Sequence, residues 1–226
     1  MNSDDIKKLR IISIDPSLIS TGVYSFDRGH GQSFAIRTRG KDRADRLVGI
    51  HDGLTHHISQ TTYDIALVED YAYSIKGSQS LTALGEVRGV VIMTLRQWAV
   101  PAVDLNIAIW KNFTIGGELE LDGKTKKKWN KKTRDGREAY LSRVHDLYGR
   151  TFKTTDEADA YMMFRATGRI LLGAAKTKAA KKLAKTMLDI LGVKDNERQN
   201  DSGSINRDRS PGAGFGRSIE PPNKAE

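Results

Sequence analysis

IISIDPSLISTGVYSF, residues 11–26, is the stretch on which the fold turns. An apolar run ends in an acid, Asp15. Pro16 then stops it, a short polar turn follows, and residues 21–26 return as a second apolar run. Such runs bounded by turn residues read as strands. Working outward, SFAIRT (33–38) follows the Gly-rich turn 29–31 and makes a third strand, the hairpin partner of the second. IALVE (65–69) repeats the opening pattern, an apolar strand closed by an acid, Glu69. VPAVDL (100–105) is a fifth strand. Between these, Ala44, Leu47, Ile50, Leu54 and Ile58 recur at helical spacing over 42–59, although Gly49 and Gly53 weaken that helix intrinsically. A long apolar helix covers 79–98, and further helices are predicted near 135–148, 155–172 and 174–192. Strands first, then helices interleaved with strands, indicate a mixed α/β domain.

Composition narrows the class. The chain has 226 residues and no cysteine, which excludes a disulfide scaffold, thiol catalysis and a cysteine-ligated zinc site. No apolar run is long enough to span a bilayer, and the opening MNSDDIKKLR lacks the apolar core of a secretory leader, so a cytoplasmic protein with no membrane association is expected. The formal charge of +9 points to a polyanionic partner and is unevenly spread. Residues 124–137 hold eight basic side chains against Asp135, and residues 176–185 hold five lysines and no acid. Residues 195–226 carry five basic and six acidic side chains among Gly, Ser, Asn and Pro, the composition of a disordered tail. The expected organisation is therefore a domain over 1–194, with a basic insertion near 118–137 and an extra helix near 174–192, followed by the tail.

Four acids carry the chemistry. Asp15 and Glu69 stand at C-terminal strand ends, where α/β sheets tend to build sites. In TTDEADA (154–160), Thr154 and Glu157 fit a capping box, and Asp156 and Asp159 lie three apart on one helical face. Like charges at that spacing repel; the helix dipole offsets part of the cost for Asp156 in the first turn, and a bound divalent cation would explain both. An all-oxygen donor set favours a hard ion, Mg²⁺ or Mn²⁺. His30, His51, His56, His57 and His145 include no pair four apart, so a helical zinc site is not expected.

These residues resemble the RuvC-type Holliday junction resolvases. IISIDPSLISTGVY is similar to the family's opening motif, IALVEDYAY through LGEVRGVVIMTL to its second-acid strand and following helix, VPAVDLNIAIWKNFTIGG to its next strand and basic segment, and TTDEADAYMMF to its paired-aspartate helix. The resemblance spans roughly residues 10–172. It implies a ribonuclease H-like fold, a mixed five-stranded sheet flanked by helices, and a homodimer. It implies nicking of branched DNA (four-way junctions, flaps, forks) with two Mg²⁺ or Mn²⁺ ions per site. Asp15, Glu69, Asp156 and Asp159 fall on the family's catalytic, metal-binding acids, and Lys111 on a basic residue near its active site. The segment after Gly117 departs from the family in length and basicity; Lys124 and Lys132 both stand as candidates for the family's second functional lysine. The added helix and tail suit a phage-encoded relative.

Around this site, KTKKKWNKKTRDGR (124–137) places Lys124, Lys126, Lys127, Lys128, Lys131, Lys132 and Arg134 as candidate DNA contacts. Tyr71 and Tyr73, in the loop after Glu69, are able to stack on a base or to serve the core. Gly85 and Gly89 permit close approach of the 79–98 helix either to its own sheet or to a second copy of the chain. Two other functions share features with this reading. An actin-like ATPase or kinase opens with a similar strand and Asp, but puts Gly where Ser17 stands and needs a second lobe. A non-catalytic architectural protein would bind branched DNA through the basic stretches, yet would set four carboxylates near phosphates without a metal to offset them.

Overall fold

A computed structural model describes residues 1–40, 42–70, 78–114 and 133–193, without the side chains of residues 78–80 and 112. The predicted basic insertion up to Lys132, the loop with Tyr71 and Tyr73, and the predicted tail lie outside the described residues. Five strands form one mixed sheet in the order β3-β2-β1-β4-β5: β1 (Arg10–Asp15), β2 (Ser20–Asp27), β3 (His30–Arg37), β4 (Ile65–Asp70) and β5 (Ala102–Asn106). β1 pairs antiparallel with β2, and β2 with β3. β1 runs parallel with β4, and β4 with β5. The hairpin is tighter than the sequence suggests. Asp27 faces His30 across a two-residue turn whose members, Arg28 and Gly29, both have positive φ, 47° and 94°, the twist that matches a right-handed hairpin.

Alternation along the strands divides the core into two layers. Ile12, Ile14, Val23, Ala66 and Val68 pack under α2 (Arg43–Ile58) and α3 (Ser78–Gln97), against Ile50, Leu54, Val87, Val91 and Leu95. Ile11, Tyr24, Phe26, Leu67 and Leu105 face the opposite layer. That layer holds α4 (Ile107–Phe113), α5 (Arg134–Tyr148), α6 (Thr155–Arg169) and α7 (Lys178–Ile190). Gly53 has a packing reason: a Cβ there would lie 2.7 Å from Ile36 Cγ2, so glycine lets α2 settle onto β3. Gly85 and Gly89 do the reverse of one expectation. Val87, Val91 and Leu95 face the sheet, while a Cβ on either glycine meets nothing within 4 Å, so these glycines do not serve packing on the protein's own sheet.

Two helices carry no advance signal in the sequence: α1 (Ser3–Lys7), capped by Asn2, and α4. α4 starts directly at the end of β5, where Asn106 Oδ1 accepts from Ala108 N at 2.9 Å. The helix predicted over 155–172 is α-helical to Arg169 and then opens into a π-helical turn, Ile170–Ala174, in which Gly173 leaves helical geometry with φ 93°. The last helix starts later than predicted, at Lys178, because Thr177 Oγ1 accepts from Ala180 N at 3.2 Å and caps it.

Candidate active site

Register brings the first two acids together. Ile14 pairs with Val68 on the adjacent parallel strand, so Asp15 and Glu69 follow side by side at the C-terminal ends of β1 and β4. Both lie on the face that packs α4 to α7, since Ile11 and Leu67, at even spacing from them, belong to that layer. Asp15 is paired across the hairpin with Gly22, and a Cβ at Gly22 would collide with the Asp156 backbone carbonyl. Only the missing side chain lets the first turn of α6 rest on the sheet beside Asp15. Gly22 is thus a residue of the site that the sequence pattern does not reveal, because nothing local marks its contact with a helix more than a hundred residues on.

α6 delivers the other two acids. Thr154 caps it by accepting from Glu157 N at 3.1 Å. The expected reciprocal half of the capping box is shifted: Glu157 Oε2 accepts from Lys153 N at 3.3 Å, one residue before the cap. Asp156 in the first turn is half-buried and Asp159, one turn further in, is buried.

The electrostatics tie the four acids into one field. Burial pushes the Asp15 carboxyl well above the usual carboxylate range, and the Glu69 charge, a hydrogen bond with Glu69, and the Asp159 and Asp156 charges push it the same way. Every neighbour that moves it is another carboxylate. Two aromatic donors reach the cluster. Trp110 Nε1 on α4 donates to Glu69 Oε1 at 3.1 Å. The Tyr140 hydroxyl on α5 donates to Asp159 Oδ1. Burial raises the Tyr140 hydroxyl pKa well above its ordinary value, and the Asp159 charge, the hydrogen bond, and the Asp15 and Glu69 charges add to it.

A hard divalent cation suits this donor set, because the set is all oxygen and mutually repelling, with Asp15 and Asp159 buried and Glu69 and Asp156 half-buried. Among the described residues, no three carboxylate or imidazole groups stand in ready ligand geometry. The four acids share a field rather than a finished coordination shell.

Of the basic candidates, Lys111 lies on α4 with its Nζ 5.1 Å from the centre of the Trp110 ring, one side chain away from Glu69. Arg134 opens α5 and pairs with Glu138 at 2.7 Å on the exposed helix surface, a contact of little energetic weight. Lys124, Lys126, Lys127, Lys128, Lys131, Lys132, Tyr71 and Tyr73 lie outside the described residues.

No protein-family model matches the chain. Among curated proteins it is similar to the crossover junction endodeoxyribonuclease RuvC of Burkholderia mallei (strain NCTC 10247), 29% identical over 160 residues that cover 69% of this chain and 81% of that protein. The RuvC of Synechococcus sp. (strain CC9902) is 33% identical over 102 residues, 42% of this chain and 65% of that one. Among solved structures, Thermus thermophilus RuvC in complex with a Holliday junction substrate superposes with a TM-score of 0.55 at 13% identity, over 73% of this chain and 96% of that one. The shared fold is ribonuclease H-like.

Proposed function

We propose that this chain, a relative of the RuvC-type Holliday junction resolvases in sequence and fold, is a structure-selective endodeoxyribonuclease that hydrolyses phosphodiester bonds in branched DNA. The observation that carries the proposal is the meeting of Asp15, Glu69, Asp156 and Asp159 at the strand ends, in a chain aligned with most of a crossover junction endodeoxyribonuclease. These four side chains are the proposed catalytic residues and the ligands of two divalent cations, Mg²⁺ or Mn²⁺. When bound, such ions supply an activated water and stabilise the leaving 3′ oxygen. Water adds to phosphorus, the bond to the 3′ oxygen breaks, and the products are a 5′ phosphate and a 3′ hydroxyl.

The chain's own residues do the positioning. The sheet holds Asp15 and Glu69 at fixed separation, Gly22 admits α6, and α6 presents Asp156 and Asp159 from its N-terminal half. Substrate grip falls to Lys111, Arg134, the lysines of 124–132 and the tyrosines at 71 and 73. A two-fold homodimer would give a junction two sites for paired nicks; the exposed glycines of α3, flanked by exposed Leu81 and Met93, support that face as its contact. Among the described residues no helix is long and apolar enough to cross a membrane, and the proposed location is the cytoplasm.

One panel tests the proposal: purified protein with end-labelled four-way junctions, flaps, forks and linear duplex, each with Mg²⁺ or EDTA. Metal-dependent nicking of branched substrates over linear duplex is expected. Equal junction binding with and without metal, and no cleavage with any divalent ion, would replace the nuclease with an architectural protein.

A further inference from the structure

We infer that Trp110 and Tyr140 are positioning residues of the metal centre, two neutral buried donors that hold Glu69 and Asp159 in place for the cations. The inference rests on the metal reading above and deepens it. Trp110 is 0% exposed and Tyr140 1% exposed, so water cannot compete for either hydrogen bond. Each is the polar tip of a side chain whose body belongs to the core layer under α4 to α7. The two bonds come from different helices and end on different acids, across 41 and 19 residues of sequence. Each takes one carboxylate oxygen, Oε1 of Glu69 and Oδ1 of Asp159.

Their chemistry suits the task better than that of a lysine or arginine. Four acids crowded at one site, two of them buried and two half-buried, repel, and something must restrain them before the cations arrive. A cationic partner would do so by cancelling the charge that binds metal. An indole N–H or a phenol O–H steadies a carboxylate and leaves its full negative charge in place. Hydrogen bonds to ligating carboxylates orient them, and their loss commonly costs about 10–100-fold in metal affinity. Both rings are also wedged in place by packing. Trp110 sits on the same short helix as Lys111, whose ammonium lies over its ring, and Arg169 Nη1 on α6 ties the end of that helix by donating to Phe113 O at 2.8 Å. The acids are therefore anchored to the core rather than to mobile side chains.

The test titrates Mn²⁺ alone into the full chain, without DNA, by calorimetry, for wild type, Tyr140→Phe, Trp110→Phe and Asp15→Asn. Thermal melting in EDTA runs beside it, and the Mg²⁺ dependence of junction cleavage follows. Tyr140→Phe removes one oxygen and keeps the ring. It is expected to weaken Mn²⁺ binding about ten-fold or more, and to raise the Mg²⁺ concentration for half-maximal cleavage by a similar factor. Activity should return close to wild type at saturating Mg²⁺. Trp110→Phe should behave alike; should it fail to fold, Tyr140→Phe carries the test alone. A lower melting temperature with wild-type Mn²⁺ affinity would reduce both residues to packing and overturn the inference. A wild-type Mn²⁺ isotherm no different from that of Asp15→Asn would sink the metal reading itself, a separate outcome.

Discussion

Asp15 sits buried at a strand end among carboxylates, and burial first, then those neighbouring charges, make its ionisation costly. Its raised pKa means the folded chain holds that proton more tightly than the unfolded chain. Below the ordinary carboxylate range both states are protonated and the cost vanishes; as pH rises from there through the folded-state pKa, stability is lost. In EDTA, Asp15→Asn should therefore match wild type in stability near pH 3 and exceed it at neutral pH, while Mg²⁺-dependent nicking disappears and junction binding survives. Denaturant midpoints measured across pH check it; parallel curves would mean that the repulsion is absent. Gly22 makes the opposite prediction. Gly22→Ala forces a methyl into the Asp156 carbonyl, so it should destabilise by about 1–3 kcal/mol and depress cleavage at saturating Mg²⁺, as seen in melting and in single-turnover rates. Asp15 and Glu69 could be singled out because an acid ending an apolar strand is a local pattern, and Asp156 and Asp159 because two acids three apart just past a helix cap are another. Gly22, Trp110 and Tyr140 were not, because each takes its meaning from a partner far along the chain.

At the scale of elements, amphipathic periodicity was the reliable guide. α7 buries Ala180, Leu183, Ala184 and Met187 and exposes Lys178, Lys181, Lys182 and Lys185, an amphipathic helix within the predicted 174–192. α4 was hidden because it continues β5 without a turn, and its apolar residues are too few to display a period. The boundary near residue 172 was misjudged since a π turn carries the same hydrophobic pattern as the helix before it. The basic elements yield a quantitative prediction. Replacing Lys126, Lys127, Lys128, Lys131 and Lys132 with Ala should weaken binding to junction and linear duplex alike. It should also flatten the plot of log affinity against log salt by about two to four units, at roughly 0.9 per lost phosphate contact. An unchanged slope would move the DNA path to the exposed lysines of α7, where Lys178→Ala, Lys181→Ala, Lys182→Ala and Lys185→Ala should then lower it.

For the whole molecule, the mixed sheet was legible strand by strand, but its order was not, because nothing in the local patterns says that β1 lies at the centre with an antiparallel neighbour on one side and a parallel one on the other. The described residues up to 193 fall within one unit, Met1–Lys194. The remaining residues, 195–226, hold few apolar side chains to bury, so their deletion should leave the melting temperature and nicking nearly unchanged; a drop of several degrees in a truncated chain would reverse that reading. One feature reaches beyond stability. The acids come from three distant parts of the chain, and the third arrives only when α6 settles against Gly22. During synthesis, a ribosome that has released β1 to β5 has made two of the acids and no pair from α6. Cutting capacity would therefore appear late and all at once, and an unfinished or stalled product would leave the cell's DNA intact.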